Sequence, residues 1–325
     1  MKNSIICSTG SHVPERVVSN DQFDQFPESS LKLISRYTGV RTRRISPEDQ
    51  CTSDLAILAA RSCLDRVGFP AEEVQGILLS TSSPDRMQPA TATRVQHELG
   101  ARNAFALDIN SVCSGSVFGI SMADSLIKSG KYENVLFIAA EMYSKILNKR
   151  DFSTYPIFGD GSGAVLLRAG NSGRGVLHSC LKTDGSGADW ICVPAGGTKL
   201  PFDRMANPRQ AFFKMSGKSV FDFAAEKGAE TIQQLASEAG VDLEDVRHFI
   251  CHQANLNIIK AIAEKTGLSP EKFVVNIDRY GNTASASVLI ALDEGVSGKR
   301  IREGDLVITV AFGGGLSWGG NLIRM

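Results

Sequence analysis

The chain lacks any arrangement of cysteine that would cross-link it or hold a metal. Its seven cysteines (Cys7, Cys51, Cys63, Cys113, Cys180, Cys192, Cys251) are odd in number, scattered and never in a CxxC pair. That pattern fits neither a disulfide framework nor a zinc site. It also lacks an excess of either charge: 35 basic and 35 acidic residues cancel over 325 residues. There is thus no bulk drive toward nucleic acid or an anionic membrane. No run reaches the roughly 18 apolar residues of a membrane span. The opening MKNSIICSTG has neither the charged nor the hydrophobic region of a signal peptide, so a cytoplasmic protein is expected. What is there is an ordinary globular composition, 42% hydrophobic and 22% charged. A chain of this length holds two domains or one duplicated unit.

Short apolar runs alternate with helical patterns along the whole chain. SIICSTGSHVP reads as a buried strand ending in a turn, and Asp54 to Val67 as an amphipathic helix. QGILLSTSSPD is a strand closing on a Ser/Pro loop, Ala92 to Leu99 reads as helix, and Phe105 to Ile109 leads toward Cys113. ENVLFIAAE is a further strand, GDGSGAVLLR a glycine turn into a strand, and Gly170 to Gly175 the best linker. The second half repeats this order. RHFIC runs out at His252 and Asn282 follows thirty residues on, as Cys113 follows Ser83. A helix to about Gly295, the strand DLVITVAF, the turn GGGLSWGG and a last strand complete the match. A duplicated α/β unit is the economical explanation. It places Cys113 and Asn282 at equivalent helix starts facing one cleft, with halves at 1–172 and 173–325.

Cys113 lies in LDINSVCSGSVFGISMADSLI, between an apolar run and an apolar, small-residue helix. The first N–H groups of a helix have no intrahelical partner and its dipole favours negative charge, so a thiolate would be stabilised there. A buried cysteine is as readily a small core residue. Likewise a lone His252 at a strand end can be structural, Asn282 can be a helix cap, and the glycines of AFGGGLSWGG can simply turn the chain. Together the four features supply a nucleophile, an imidazole, an amide donor and backbone N–H groups for an oxyanion, which is a full acyl-transfer set.

DINSVCSGSVFGI, ICHQANLNII, RYGNTASASV, FGDGSGAVLL and AFGGGLSWGG, with TGSHVPERVVSN and TGVRTRR, resemble the signature segments of β-ketoacyl-(acyl-carrier-protein) synthase III. The resemblance implies a thiolase-like α/β fold, with two pseudosymmetric halves and buried central helices between sheets. It implies a ping-pong reaction in which Cys113 takes an acyl primer from coenzyme A or acyl carrier protein. The N–H groups of Cys113 and Gly314 would hold the oxyanion. His252 and Asn282 would then assist decarboxylation of malonyl-acyl carrier protein, with Phe312 beside the leaving carboxylate. No bound cofactor or metal is implied. A homodimer is expected.

Several positions depart from the family pattern. Leu33 stands where a tryptophan stacks on the coenzyme A adenine, and Phe152 and Tyr37 stand in place of two arginines. A carrier-docking arginine after HQANL is Asn257, which leaves Arg247, Lys260 and Lys265 as candidate carrier contacts. The loop SPDRMQP, which in the family lines the partner subunit's acyl pocket, carries Arg86, Met87 and Gln88, so a short or polar-ended primer is expected. Two other functions compete: an acyltransferase of secondary metabolism passing the acyl group to oxygen or nitrogen, and a non-catalytic synthase partner. An intact Cys113, His252 and Asn282 set favours condensation over both. A cysteine hydrolase would need a carboxylate to orient His252, and none is placed to do so.

Overall fold

A computed structural model describes residues 3–170 and 173–325. Residues 171 and 172, inside the expected linker and at the expected boundary between halves, lie outside the described residues. The chain runs β1 (Asn3–His12), β2 (Val17–Ser19), α1 (Glu28–Thr38), β3 (Thr42–Arg44), α2 (Thr52–Asp65), β4 (Gly76–Ser80), α3 (Thr91–Leu99), β5 (Phe105–Ile109) and α4 (Gly115–Lys128). It continues through β6 (Asn134–Glu141), β7 (Gly161–Gly170), β8 (Gly175–Thr183), β9 (Ile191–Cys192), β10 (Lys214–Met215), α5 (Gly217–Ala239), β11 (His248–Cys251) and α6 (Leu256–Thr266). It closes with α7 (Ile277–Tyr280), α8 (Ser287–Ser297), β12 (Leu306–Gly313) and β13 (Ser317–Arg324).

Two sheets carry the fold. One has the order β1-β7-β6-β4-β5 and the other β11-β12-β13-β8. β4 pairs in parallel with β5 and β6, and β11 in parallel with β12, while the remaining pairs are antiparallel. α4 and α8 lie between the sheets: α4 touches β4 and β6 of one and β12 and β13 of the other, and α8 touches β1, β7, β11 and β12. Their sequences explain this. A helix whose apolar and small residues extend over most of its surface can be packed on two opposite sides. Val117, Ile120, Ala123 and Ile127 of α4 join Val288, Leu289, Ala291 and Leu292 of α8 in one central core. α2 and α3 cover the outer face of the first sheet, and α5 and α6 that of the second. No helix among the described residues is long and apolar enough to cross a membrane.

The two halves repeat down to single hydrogen bonds. Before α4, the Asn110 Oδ1 accepts from the Val112 N–H (3.2 Å), Val112 has φ 46°, and the Ser114 N–H donates to the Ser111 carbonyl. Before α8, the Asn282 Oδ1 accepts from the Ala284 N–H (2.8 Å), Ala284 has φ 45°, and the Ala286 N–H donates to the Thr283 carbonyl. A non-glycine residue in the left-handed region is uncommon, and for β-branched Val112 it is strained. The same strain at the same point of both turns sets the register, and it corrects the expected equivalence. Asn282 matches Asn110, so Cys113 matches Ser285. The thirty-residue spacing survives with a shift of three: His252 to Asn282 corresponds to Ser80 to Asn110.

Close approach of the central helix depends on glycine. A methyl on Gly119 of α4 would sit 2.0 Å from Cε2 of the fully buried Phe137 ring on β6. Gly119→Ala would gain about 1 kcal/mol of helix propensity but incur an overpacking cost of about 1–3 kcal/mol. The cost should win, since neither the ring nor the helix has room to retreat. A lower urea midpoint with an unchanged slope is expected; a higher midpoint would show that the ring yields freely.

Candidate active site

Cys113 occupies a single 3-10 turn, Val112–Ser114, immediately ahead of α4, and is 6% exposed. The strained Val112 turns the chain so that Cys113 meets the end of β12. A Cβ on Gly313 would lie 2.7 Å from the Cys113 nitrogen, so that position needs the bare backbone, and one on Gly314 would fit tightly at 3.0 Å from the Ile191 carbonyl and 3.3 Å from Val112 Cγ2. Three hydroxyls clasp this contact: Ser114 Oγ is 2.8 Å from both Ser111 Oγ and Ser317 Oγ, and Ser317 Oγ donates to the Gly314 carbonyl (2.8 Å).

His252 follows β11 directly and is 2% exposed. Its Nδ1 is 2.7 Å from Ser287 Oγ at the start of α8. Ser287 Oγ already accepts the Gln253 N–H (3.2 Å), so its own hydrogen is free to point at Nδ1. With the Ser287 hydroxyl donating to Nδ1, the imidazole proton lies on Nε2. The orienting partner is a hydroxyl, which sequence reasoning did not identify. The Phe312 ring stands edge-on to the imidazole with centroids 5.5 Å apart.

Asn282 is 5% exposed and fixed through its backbone, donating to the Ile157 carbonyl (2.9 Å) and accepting from the Gly159 N–H (3.0 Å). Its Oδ1 is spent on the Ala284 N–H, which leaves Nδ2 as the free end. Ala284, in the same turn, belongs with Cys113 to a cluster that includes Tyr143, Leu147, Phe158, Ile191 and Phe213. Tyr143 stacks on Phe158 at 4.8 Å, and Phe213 meets both edge-on. Three rings therefore pack in one cluster with the thiol.

Charge is scarce at this site. Burial pushes the Cys113 thiol well above its ordinary value, and the neighbouring Glu141 carboxylate adds to the rise. Burial lowers the His252 imidazole to about 3. The sequence expectation counted only the pull of the helix start; the tertiary structure adds desolvation and Glu141 on the opposite side. At neutral pH the resting pair is a thiol and an imidazole.

The remaining expected residues divide. Arg86, Met87 and Gln88 are exposed, Met87 by 72%, and do not join the Cys113 cluster within one chain. Asn257 Nδ2 donates to the Tyr37 carbonyl, as does Asn255 Nδ2, so it ties α6 to α1. Lys260 and Lys265 are exposed along α6. Arg247 is exposed at the start of β11, the opposite end from His252, so the structure does not bring it to the site. Phe152 packs on Phe26 (5.2 Å), and Leu33 and Tyr37 are exposed. Sequence reasoning missed Ser287, Tyr143, and Arg36 with Arg41, which line a groove of about 840 Å³ beside Leu256. It also missed Glu141, whose signal was a lone charge ending an otherwise apolar strand.

Two family models match this chain: the 3-oxoacyl-[acyl-carrier-protein (ACP)] synthase III model over residues 107–185 and its C-terminal model over 236–325. A β-ketoacyl-[acyl-carrier-protein] synthase III of Clostridium acetobutylicum is 37% identical over 323 residues, 99% of each chain. The chain belongs to the β-ketoacyl-[acyl-carrier-protein] synthase III family. Two solved members superpose on nearly all of it. The Aquifex aeolicus enzyme does so with a TM-score of 0.91, at 35% identity and over 99% of this chain and 100% of its own. The Thermus thermophilus enzyme also reaches 0.91, at 38% identity and over 98% of both. The fold is therefore the thiolase fold, and the synthase is a condensing acyltransferase that joins an acyl primer to malonyl-acyl carrier protein in the initiation of fatty-acid synthesis.

Iodoacetamide alkylation of Cys113 followed by mass spectrometry reads its ionisation directly. With the thiol raised, the rate should climb from neutral pH into the alkaline range. A rate already at its plateau below pH 7 would mean that the helix start overrides burial and Glu141.

Proposed function

We propose that Cys113 is the nucleophile and that His252 and Asn282 act together as hydrogen-bond donors to the malonyl thioester oxygen. One observation carries this assignment. In each of the two side chains the protein occupies the other polar atom, Nδ1 of His252 with Ser287 and Oδ1 of Asn282 with the Ala284 N–H. What faces the cleft is Nε2–H and Nδ2–H, two donors and no base. Donors held in place stabilise an enolate oxygen as charge develops on it, and they need no reorganisation to do so.

The steps balance on these groups. Cys113 Sγ attacks the primer thioester, the N–H groups of Cys113 and Gly314 hold the oxyanion, and the Cys113 proton ends on the departing carrier thiol. Malonyl-acyl carrier protein then enters. Its carboxylate lies by Phe312, which disfavours the charge and leaves it to depart as carbon dioxide. The bonding pair of the broken C–C bond becomes the enolate, which attacks the acyl carbon. The Cys113–acyl bond breaks, and the sulfur regains a proton from solvent.

The finer assignments follow. The three rings beside Cys113 favour a short primer. With Leu33, Phe152 and Tyr37 in place of the adenine-stacking and arginine positions, the primer arrives on acyl carrier protein or on a differently bound coenzyme A. Lys260 and Lys265, with Arg36 and Arg41, form the carrier-facing basic groups. The halves 1–172 and 173–325 bring Cys113 to one side of the cleft and His252 and Asn282 to the other. The enzyme acts in the cytoplasm as a homodimer through the free edge of β5, where Leu107 is 38% exposed, and the Arg86–Gln88 loop completes the partner's acyl pocket.

Intact-protein mass spectrometry with acetyl, succinyl and octanoyl donors on both carriers tests the first half-reaction. Wild type should gain the mass of a short acyl group and Cys113→Ala should not; a clear octanoyl preference would sink the short-primer assignment. His252→Ala and Asn282→Ala should still acylate but lose about 10²-fold or more in carbon dioxide release from malonyl-acyl carrier protein, in line with the removal of a positioned donor. Light scattering should give about twice the 34.9 kDa chain mass; a monomer would detach the Arg86–Gln88 loop from any pocket.

A further inference from the structure

The internal repeat sets a second constellation opposite the first. Glu141 and Gly313 are the last residues of the equivalent strands β6 and β12. Leu78 and Ile250 both face the central core, which pairs Ser80 with His252 two residues on. Cys113, His252 and Gly313 thus map on Ser285, Ser80 and Glu141. Where the first set packs the Cys113 backbone against a bare glycine, the second carries a carboxylate.

Glu141 is fully buried, and no cation pairs with it among the described residues. Donors alone surround it. Oε1 accepts from Ser285 Oγ (2.7 Å), Ser82 Oγ (3.0 Å) and the Ser82 N–H (3.2 Å). Oε2 accepts from Ser83 Oγ (2.6 Å) and the Ser82 N–H (3.1 Å), with Thr81 Oγ1 at 3.4 Å. Ser83 Oγ itself accepts the Met142 N–H, so its hydrogen can only serve Glu141. Burial raises the carboxyl's pKa and these donors oppose the rise. A shell with donors and no acceptors suits an acceptor-only carboxylate.

The clasp joins two places that matter. On one side Ser285 lies in the turn Ala284–Ala286, three residues after Asn282. On the other, Ser82 Oγ is 2.9 Å from the Tyr143 hydroxyl, whose ring walls the Cys113 cluster. The two turns are therefore held differently. The Cys113 turn has its own Ser111, Ser114 and Ser317 hydroxyls and the Gly313 contact, and Glu141 makes no hydrogen bond to it; the carboxylate reaches Cys113 only through its charge, which raises the thiol. The Asn282 turn has Ser285 on Glu141 as its side-chain anchor.

The geometry points to Glu141 as a positioning residue, which acts through Ser285 to hold the Asn282 amide for the decarboxylation half-reaction. This rests on the roles proposed above for Cys113, His252 and Asn282. Removing the clasp should therefore separate the two half-reactions, which a general loss of structure would not.

The test compares wild type, Glu141→Gln, Ser285→Ala and the double variant. Glu141→Gln keeps the shape but turns an acceptor into an amide donor among donors. Acylation of Cys113, read by mass spectrometry, should not fall in either variant, and in Glu141→Gln the loss of the carboxylate charge should only ease ionisation of the thiol. Carbon dioxide release from malonyl-acyl carrier protein should fall by about tenfold or more in kcat with KM unchanged, as loss of an interaction made in the transition state requires. Ser285→Ala should reproduce the defect, and the double variant should be no worse than Glu141→Gln. Equal losses in both half-reactions, or undiminished carbon dioxide release, would overturn the inference. If Glu141→Gln fails to fold by circular dichroism, Ser285→Ala decides alone by the same split. Wild type separates the two levels: if it neither acylates nor decarboxylates, the functional assignment falls and this inference with it. If wild type does both while the variants lose both alike, only this inference falls.

Discussion

Burying two helices between two sheets is the constraint from which the rest follows. α4 and α8 both begin in the interior, so their first N–H groups must find partners where no bulk water reaches. Both solve this in one way, with an asparagine side chain, a left-handed residue and a single 3-10 turn. The strain at Val112 and Ala284 persists because the sheets on either side leave no other path into the helix. These two turns meet each other and the end of β12, so the segments that lead into the buried helices also carry Cys113 and Asn282.

That origin explains the electrostatics. A site assembled at buried helix starts is dry, and dryness holds both the thiol and the imidazole neutral. Neutral groups can still direct chemistry if the protein uses up their unwanted atoms. Ser287 does so for Nδ1 of His252, and the Ala284 N–H for Oδ1 of Asn282. The remaining polar atom of each is then left unengaged by the protein, as the role proposed for the pair requires.

The repeat has diverged where chemistry and support need different things. Gly313 stays bare because the Cys113 nitrogen lies against it, while its counterpart Glu141 fills the matching space and gathers hydroxyls from both halves. One copy of the arrangement carries the thiol and the imidazole, and the other is closed by a charge balanced only by donors. The same asymmetry shows in the partners of the helix starts, where Ser287 meets His252 and Gly115 leaves room for Ser80.

Much of this was legible in the chain. Cys113, His252, Asn282 and the glycine turn sit in stretches whose apolar periods give strands and helices at the observed places, because period and turn chemistry are local properties. The alternation that marked a duplicated α/β unit is local too. α5 went unread, although Val220, Ala224, Ile232 and Leu235 lie on one buried face and Gly240 ends it in a left-handed cap. By contrast, the register between the halves was read three residues off, because the Asn110 and Asn282 bonds are visible only once the turns are built. Nor could Arg247 be told from a site residue, since which end of β11 faces the cleft is settled by packing. Sequence alone thus determined the class of chemistry, a thiol, an imidazole, an amide and a glycine turn in one protein. Tertiary structure decided their state: neutral through burial, donors through the atoms already engaged, and held by Ser285, Ser287 and Glu141, whose partners lie up to 144 residues away.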